Sequence, residues 1–243
     1  MTGGWFYFAD NNSAATYEFY IGAGGLNFQT AGTGAYCLGH NKSSISTTIR
    51  PWYSDFTIED RGTGDYGLVI IRNVMFCTDD ENGDGRTITI DAKTSGQYSP
   101  VVTVSGKGTL QVNSAMSSGT PPVTVTDSAT LAFGAGESLG TGAITLGAGT
   151  KLALTSTNKD FTPLANTLNL PTGENEVATI RIDGAHLKSG DHEIATVGNA
   201  ATTANVALDE NGAALAGRKA ELMVEEGKLL LNIKSAGTIF IVR

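Results

Sequence analysis

The chain has 243 residues, enough for one large all-β domain or two smaller ones. It carries 31 glycines, only 16% charged residues and a net charge of -8, with no lysine or arginine cluster, which sets it against nucleic acid. No run approaches the ~18 apolar residues of a membrane helix, and a surface so poor in charge suits strands and tight turns better than helices.

The opening "MTGGWFYFADNN" lacks the basic start and long apolar core of a signal peptide. It reads as an artificial or processed boundary, with any export signal lying outside this chain. Aromatic residues crowd the first quarter: Trp5, Phe6, Tyr7, Phe8, Tyr17, Phe19, Tyr20, Tyr36, Trp52 and Tyr53. Exposed, they could stack on sugar rings; buried, they would plug one end of a stacked structure, and the plug is the reading preferred here. Then "SDFTIED", "YGLVIIRNVMF" and "RTITIDA" are strand-length runs parted by Gly, Asp and Asn turns. Their apolar centres are irregularly spaced, which predicts longer loops on one corner. Cys37 and Cys77 are either a disulfide, if the protein is exported, or two buried thiols.

From Val102 the sequence repeats. Val102, Val123 and Ile144 correspond at intervals of 21 residues, as do Val104, Val125 and Leu146. After a polar turn come Leu110, Leu131 and Leu152, then Val112, Phe133 and Leu154; the intervening Thr103, Thr124 and Thr145 recur facing outward. Apolar letters are locked while the turns "SGKGT", "TDSAT" and "GAGTK" drift. Within each copy the alternation has period two, so the units are strands with one buried face. A fixed short period of this kind predicts an all-β parallel β-helix, a β-solenoid whose equivalent residues stack about 4.8 Å apart, right-handed by the usual chirality of parallel crossovers. One coil cannot bury its inner face alone, so its apolar letters must match those above and below.

After about Thr155 the period disappears. Pro163 and Pro171 bracket a linker-like stretch, followed by strands of another style and by "LMVEEGKLLL", a hairpin closing on Glu226-Gly227. The expected organisation is a solenoid over 1-155 and, over 156-243, a small β-rich C-terminal cap or sandwich, continuous with the solenoid or folded against it.

"VTVSGKGTLQV", "VTVTDSATLAFGAGESLGTGAITLGAGTKLAL" and the late "VEEGKLLLNI" resemble the autotransporter-associated β-strand repeats of bacteria, firmly over residues 88 to 155. The resemblance implies an extracellular passenger-type β-helix with roles in adhesion, surface coating or display, and it carries no catalytic residues. Nothing here resembles an outer-membrane translocator barrel.

"DENGDGRTITID" fits a calcium-loop pattern: Asp80, Asn82 and Asp84 at positions 1, 3 and 5, Gly85 at 6, the Arg86 carbonyl at 7 and Asp91 at 12. Against calcium, "RTITID" reads as a strand that points Asp91 away from Ile88 and Ile90, and an Asp/Asn/Gly turn explains the same letters. Asp55, Glu59, Asp60 and Asp65, with Asp79, Asp80, Glu81 and Asp84, could pair across stacked corners at glycosidase separations. They sit in solvated runs, whereas a general acid needs burial, and Arg61, Arg72 and Arg86 have no telling neighbours. Cys37 and His40 lack the second pair that a zinc site needs, and His186 and His192 flank a turn. The terminal "TIFIVR", with Thr238, Ile239, Phe240, Ile241 and Val242, suits addition to another sheet edge.

The expectation is a non-enzymatic secreted or cell-surface structural or adhesive β-solenoid, without a cofactor unless calcium binds. Two alternatives stand beside it. One is a surface filament subunit that self-associates end to end through terminal strands. The other is a β-helix that binds or cleaves polysaccharide. Its partner would then be a polysaccharide or a host or cell-surface ligand.

Overall fold

A computed structural model describes residues 5-8, 16-28, 35-39, 45-62, 67-116, 118-209 and 215-234. It is almost entirely strand, with no α-helix among these residues. In chain order the strands are β1 (Trp5–Phe8), β2 (Thr16–Ile21), β3 (Leu26–Phe28), β4 (Ala35–Leu38), β5 (Ser46–Pro51), β6 (Phe56–Asp60), β7 (Gly67–Cys77), β8 (Thr87–Asp91), β9 (Thr94–Ser105) and β10 (Thr109–Val112). There follow β11 (Val123–Val125), β12 (Thr130–Phe133), β13 (Ile144–Leu146), β14 (Lys151–Thr155), β15 (Thr167–Asn169), β16 (Ala178–Asp183), β17 (Gly190–Val197), β18 (Val206–Leu208), β19 (Ala220–Glu225) and β20 (Lys228–Ile233).

These strands form two long sheets, one of 12 strands and one of eight. From β7 to β18 the chain alternates between them, and each strand pairs in parallel with the strand two places earlier. Such an order is consistent with a β-helix-like fold. The register matches the repeat residue for residue: Val123 lies between Val102 and Ile144, Leu131 between Leu110 and Leu152, and Phe133 between Val112 and Leu154. Thr103, Thr124 and Thr145 stack likewise on the outer side. The inner columns are fully or nearly fully buried and belong to one continuous core that runs from Leu38 to Ile233. Each buried Val, Leu or Ile contributes roughly 1.5-3 kcal/mol relative to exposure, which is why the apolar letters are fixed while the corners vary.

Toward the N-terminal end the coils gain a third row. Residues Gly67–Ile70 of β7 continue the row β1–β4, whereas Asn73–Phe76 continue β2–β5. The strand changes direction at a bulge between Ile71 and Asn73, with Arg72 at φ 52. Its partner β9 turns opposite this point at Tyr98 (φ 56) and Ser99 (φ 52).

Beyond residue 155 the same sheets carry six more strands, of which β15 to β18 continue the parallel order. Leu152 and Leu154 of β14 pair with Ile180 and Ile182 of β16, and Ile144 of β13 pairs with Leu168 of β15. The parallel order ends only where β20 runs antiparallel to both β17 and β19. The predicted hairpin is present, with Glu226 at φ 48 and Gly227 at φ 73. Both central positions of such a turn need positive φ, which Asn and Gly tolerate and Glu does not. Glu226→Asn is therefore expected to raise stability by about 0.5-1 kcal/mol, read as a higher urea midpoint with an unchanged slope.

Candidate functional site

Corner turns stack where the chain passes from the larger sheet to the smaller. Most are short, such as Gly106–Gly108 and Asp127–Ala129. Two near the N-terminal end are decorated: Trp52–Asp55 after β5, and Thr78–Arg86 after β7. The first is pinned by the Trp52 amide donating to the Ile21 carbonyl (2.9 Å), and the second by the Glu81 amide donating to the Trp52 carbonyl (3.1 Å).

Asp80 organises the longer loop. It is fully buried, and its Oδ1 accepts from the backbone amides of Asn82 (2.9 Å) and Asp84 (3.0 Å). Its Oδ2 accepts from the Arg86 guanidinium through Nε and Nη2, both at 2.8 Å. Burial alone would push this carboxyl up; the Asp84 amide, the Arg86 guanidinium and the Asn82 amide outweigh it and hold it below the usual carboxylate range. A group with a depressed folded pKa stabilises above its unfolded value, and that contribution disappears as pH falls through the folded value. Asp80→Asn is therefore expected to lower stability at neutral pH and to flatten the acid loss of stability below about pH 4, measured as urea midpoints across that range.

This arrangement answers the calcium-loop expectation. Both oxygens of Asp80 already face N–H donors, and the cation in the loop is the side chain of Arg86, the residue expected to offer only its carbonyl. Asp84 lies 3.7 Å from the same guanidinium. Asp91 is exposed at the end of β8, in register with Glu59. The donor set does not fit calcium, and among the described residues no three His, Cys, Asp or Glu side chains converge as a metal cluster.

The other acidic candidates are engaged as well. Asp55 accepts the Thr87 amide (2.7 Å), Asp60 the Gly62 amide (2.8 Å) and Asp79 the Lys107 amide (2.8 Å), while Glu59 pairs with Arg61 (2.7 Å). His192 is buried, with the Phe161 amide donating to Nδ1 (3.4 Å) and Nε2 against the Lys188 carbonyl (2.9 Å); His186 is exposed. Asp65, His40 and the strand Thr238–Val242 lie outside the described residues. The cysteines are both free. Cys37 stands beside Val69 near the start of β7, whereas Cys77 ends that strand beyond its bend, so the expected bridge is absent. Cys37 is buried with Ala35, Val69 and Ile71, and burial pushes its thiol up to about 12.

The aromatic residues divide. Phe19 and Tyr36 pack on the core as a plug would, but Trp52, Tyr53 and Tyr20 are 49%, 52% and 42% exposed, so the plug reading fails for these three. Trp52 and Tyr53 stack with ring centroids 5.6 Å apart and 25° between planes. Trp52 Nε1 donates to Glu81 Oε2 at 2.7 Å, and the Tyr53 hydroxyl is near enough to the same carboxylate for the two groups to shift each other's titration. The nearby Tyr53 hydroxyl, then the Trp52 indole N–H, hold the Glu81 carboxyl below its usual range against the effect of burial. Beside them Arg50 lies over the Tyr20 ring, 5.1 Å from its centroid, and donates to Glu18 (2.7 Å) and to the carbonyls of Asp79 (3.3 Å) and Asp80 (3.1 Å). The sequence singles out Trp52, Tyr53, Tyr20 and Glu81 without joining them, and Arg50 and Glu18 not at all, because the contacts link corners that lie about thirty positions apart. Compared with family models, curated proteins and solved structures, the chain matches none.

Proposed function

We propose that this chain is a stretch of right-handed parallel β-helix, of the kind found in autotransporter passengers, acting outside the cell as a non-enzymatic structural and adhesive element. The observation that carries the reading is the unbroken register of Leu110, Leu131 and Leu152 with its companion columns, which supports a stack of similar coils over a shell around a cavity. Such stacks offer long outer faces for contact. The chemistry of the decorated corner supports binding over turnover. Asp80 and Glu81 have carboxyls shifted downward, the opposite of what a general acid needs. Each of the other described acidic candidates is held by an amide or a cation.

The test is incubation with acidic and neutral polysaccharides, measuring retention of the protein together with release of reducing ends. Retention without cleavage is the expected result. Cleavage that disappears in Asp60→Ala or Asp80→Ala would replace this reading with that of a polysaccharide-degrading enzyme. Size-exclusion runs at rising concentration address the filament alternative, which requires assemblies that grow with concentration.

A further inference from the structure

We propose that the corner formed by Trp52, Tyr53 and Glu81 is a binding site for neutral pyranose chains; this rests on the adhesive reading above and names its ligand class. The polar tip of Trp52 is tied to the Glu81 carboxylate, and the Trp52 and Tyr53 rings, about half exposed, are held within 25° of parallel. Rings fixed before binding lose little rotamer freedom when a ligand arrives. The C–H face of a pyranose needs such a flat apolar surface together with hydrogen-bonding groups at its rim. Glu81 supplies the rim: a carboxylate has about four lone-pair sites, and the Trp52 indole N–H takes one of them, leaving acceptors for sugar hydroxyls.

The surrounding charge decides which saccharide. Glu18, Asp55, Asp79, Asp80, Glu81 and Asp84 outnumber Arg50, Arg86 and Lys107 around the two loops, so a polyanionic glycan meets repulsion. The three cations are already engaged: Arg50 on Glu18 and over Tyr20, Arg86 on Asp80, and Lys107 on the Gly83 carbonyl at 2.8 Å. A cationic peptide is the competing ligand for an aromatic–carboxylate surface. It is disfavoured because Arg50 already occupies the cation position beside Tyr20.

The experiment titrates the intact chain with cellohexaose, laminarihexaose, mannohexaose and chitohexaose by calorimetry, and with polygalacturonate and a trimethyl-lysine peptide as the charged comparisons. At least one neutral hexaose is expected to bind with Kd on the order of 0.1-1 mM. Trp52→Ala should weaken it at least about tenfold, Glu81→Gln about threefold to tenfold, and Trp52→Phe, which keeps a ring, less than Trp52→Ala. Because Trp52 and Glu81 lie at the surface, far-UV circular dichroism of these variants should match that of the parent, with only a modest drop in the urea midpoint from the lost Trp52–Glu81 bond. Lack of binding by all four hexaoses, or tighter binding of polygalacturonate or the peptide at this corner, overturns the proposal. Binding that ignores Trp52→Ala overturns the corner while leaving the adhesive reading in place. Release of reducing ends from a hexaose would instead sink the non-enzymatic reading and leave the corner standing.

Discussion

Gly108→Ala is expected to destabilise the protein by about 3 kcal/mol or more, or to prevent folding altogether. A Cβ at this position would collide with the carbonyl oxygen and the amide nitrogen of Arg86, and would stand only 2.8 Å from the carbonyl carbon. All three are backbone atoms, so no side chain can rotate aside. The same carbonyl accepts the Thr109 amide at 2.9 Å, and the Gly108 amide donates to the buried Thr78 hydroxyl at 2.9 Å. Moving the turn outward to relieve the clash breaks both bonds and tilts the coil that begins at β10. Gly22→Ala is the control: a methyl there would meet nothing within 4 Å, and its effect should stay within about 0.5 kcal/mol. Urea unfolding of the two variants tests the close approach of consecutive corners, and equal midpoints would refute it.

Leu131→Ala should cost about 3-4 kcal/mol, since the side chain is fully buried between Leu110 and Leu152 and the stack cannot close over the gap. The more telling result comes from pairs. Leu110 and Leu131 are adjacent rungs, so the double alanine variant should depart from the sum of the singles by more than about 0.5 kcal/mol. Leu110 and Leu152 lie two rungs, about 9.6 Å, apart, and should add. If the second pair couples as strongly as the first, the axial stacking described for these columns is wrong.

The columns were legible in the sequence because burial constrains each rung against its neighbours and so writes the same apolar letter every 21 residues. After Thr155 the same physical constraint operates, yet the letters lose their spacing. The rung after Leu152 is Ile180, and the intervening chain makes a long excursion through Phe161 and Pro163. Tertiary pairing tolerates such an excursion because only the rung itself must be apolar. The bend in β7 escaped for a different reason. "YGLVIIRNVMF" is apolar on both sides of Arg72, and nothing local marks the positive φ that turns one strand into parts of two rows. The candidate corner was the least legible feature. Trp52 and Tyr53 are two letters in an aromatic-rich region, and the Glu81 carboxylate that Trp52 contacts reaches them only after β6 and β7 have been laid down. Likewise, the letters of the Asp80 loop match a metal-binding pattern, and only the fold brings the Arg86 side chain back onto the carboxylate it follows.

The pairing of each strand with those two places before and after it has a mechanical consequence. Hydrogen bonds within both sheets point along the line on which rungs succeed one another, so tension along that line loads them head-on rather than sideways. Bonds loaded in this way separate a few at a time, and neighbours further down the line are untouched until their turn comes. In the segment from Val102 to Leu154 each release would free 21 residues, about 70 Å of extended slack. A tethered single molecule stretched between its ends should therefore lengthen through a staircase of low, evenly matched force drops, giving way gradually under load where a single-step shear would snap.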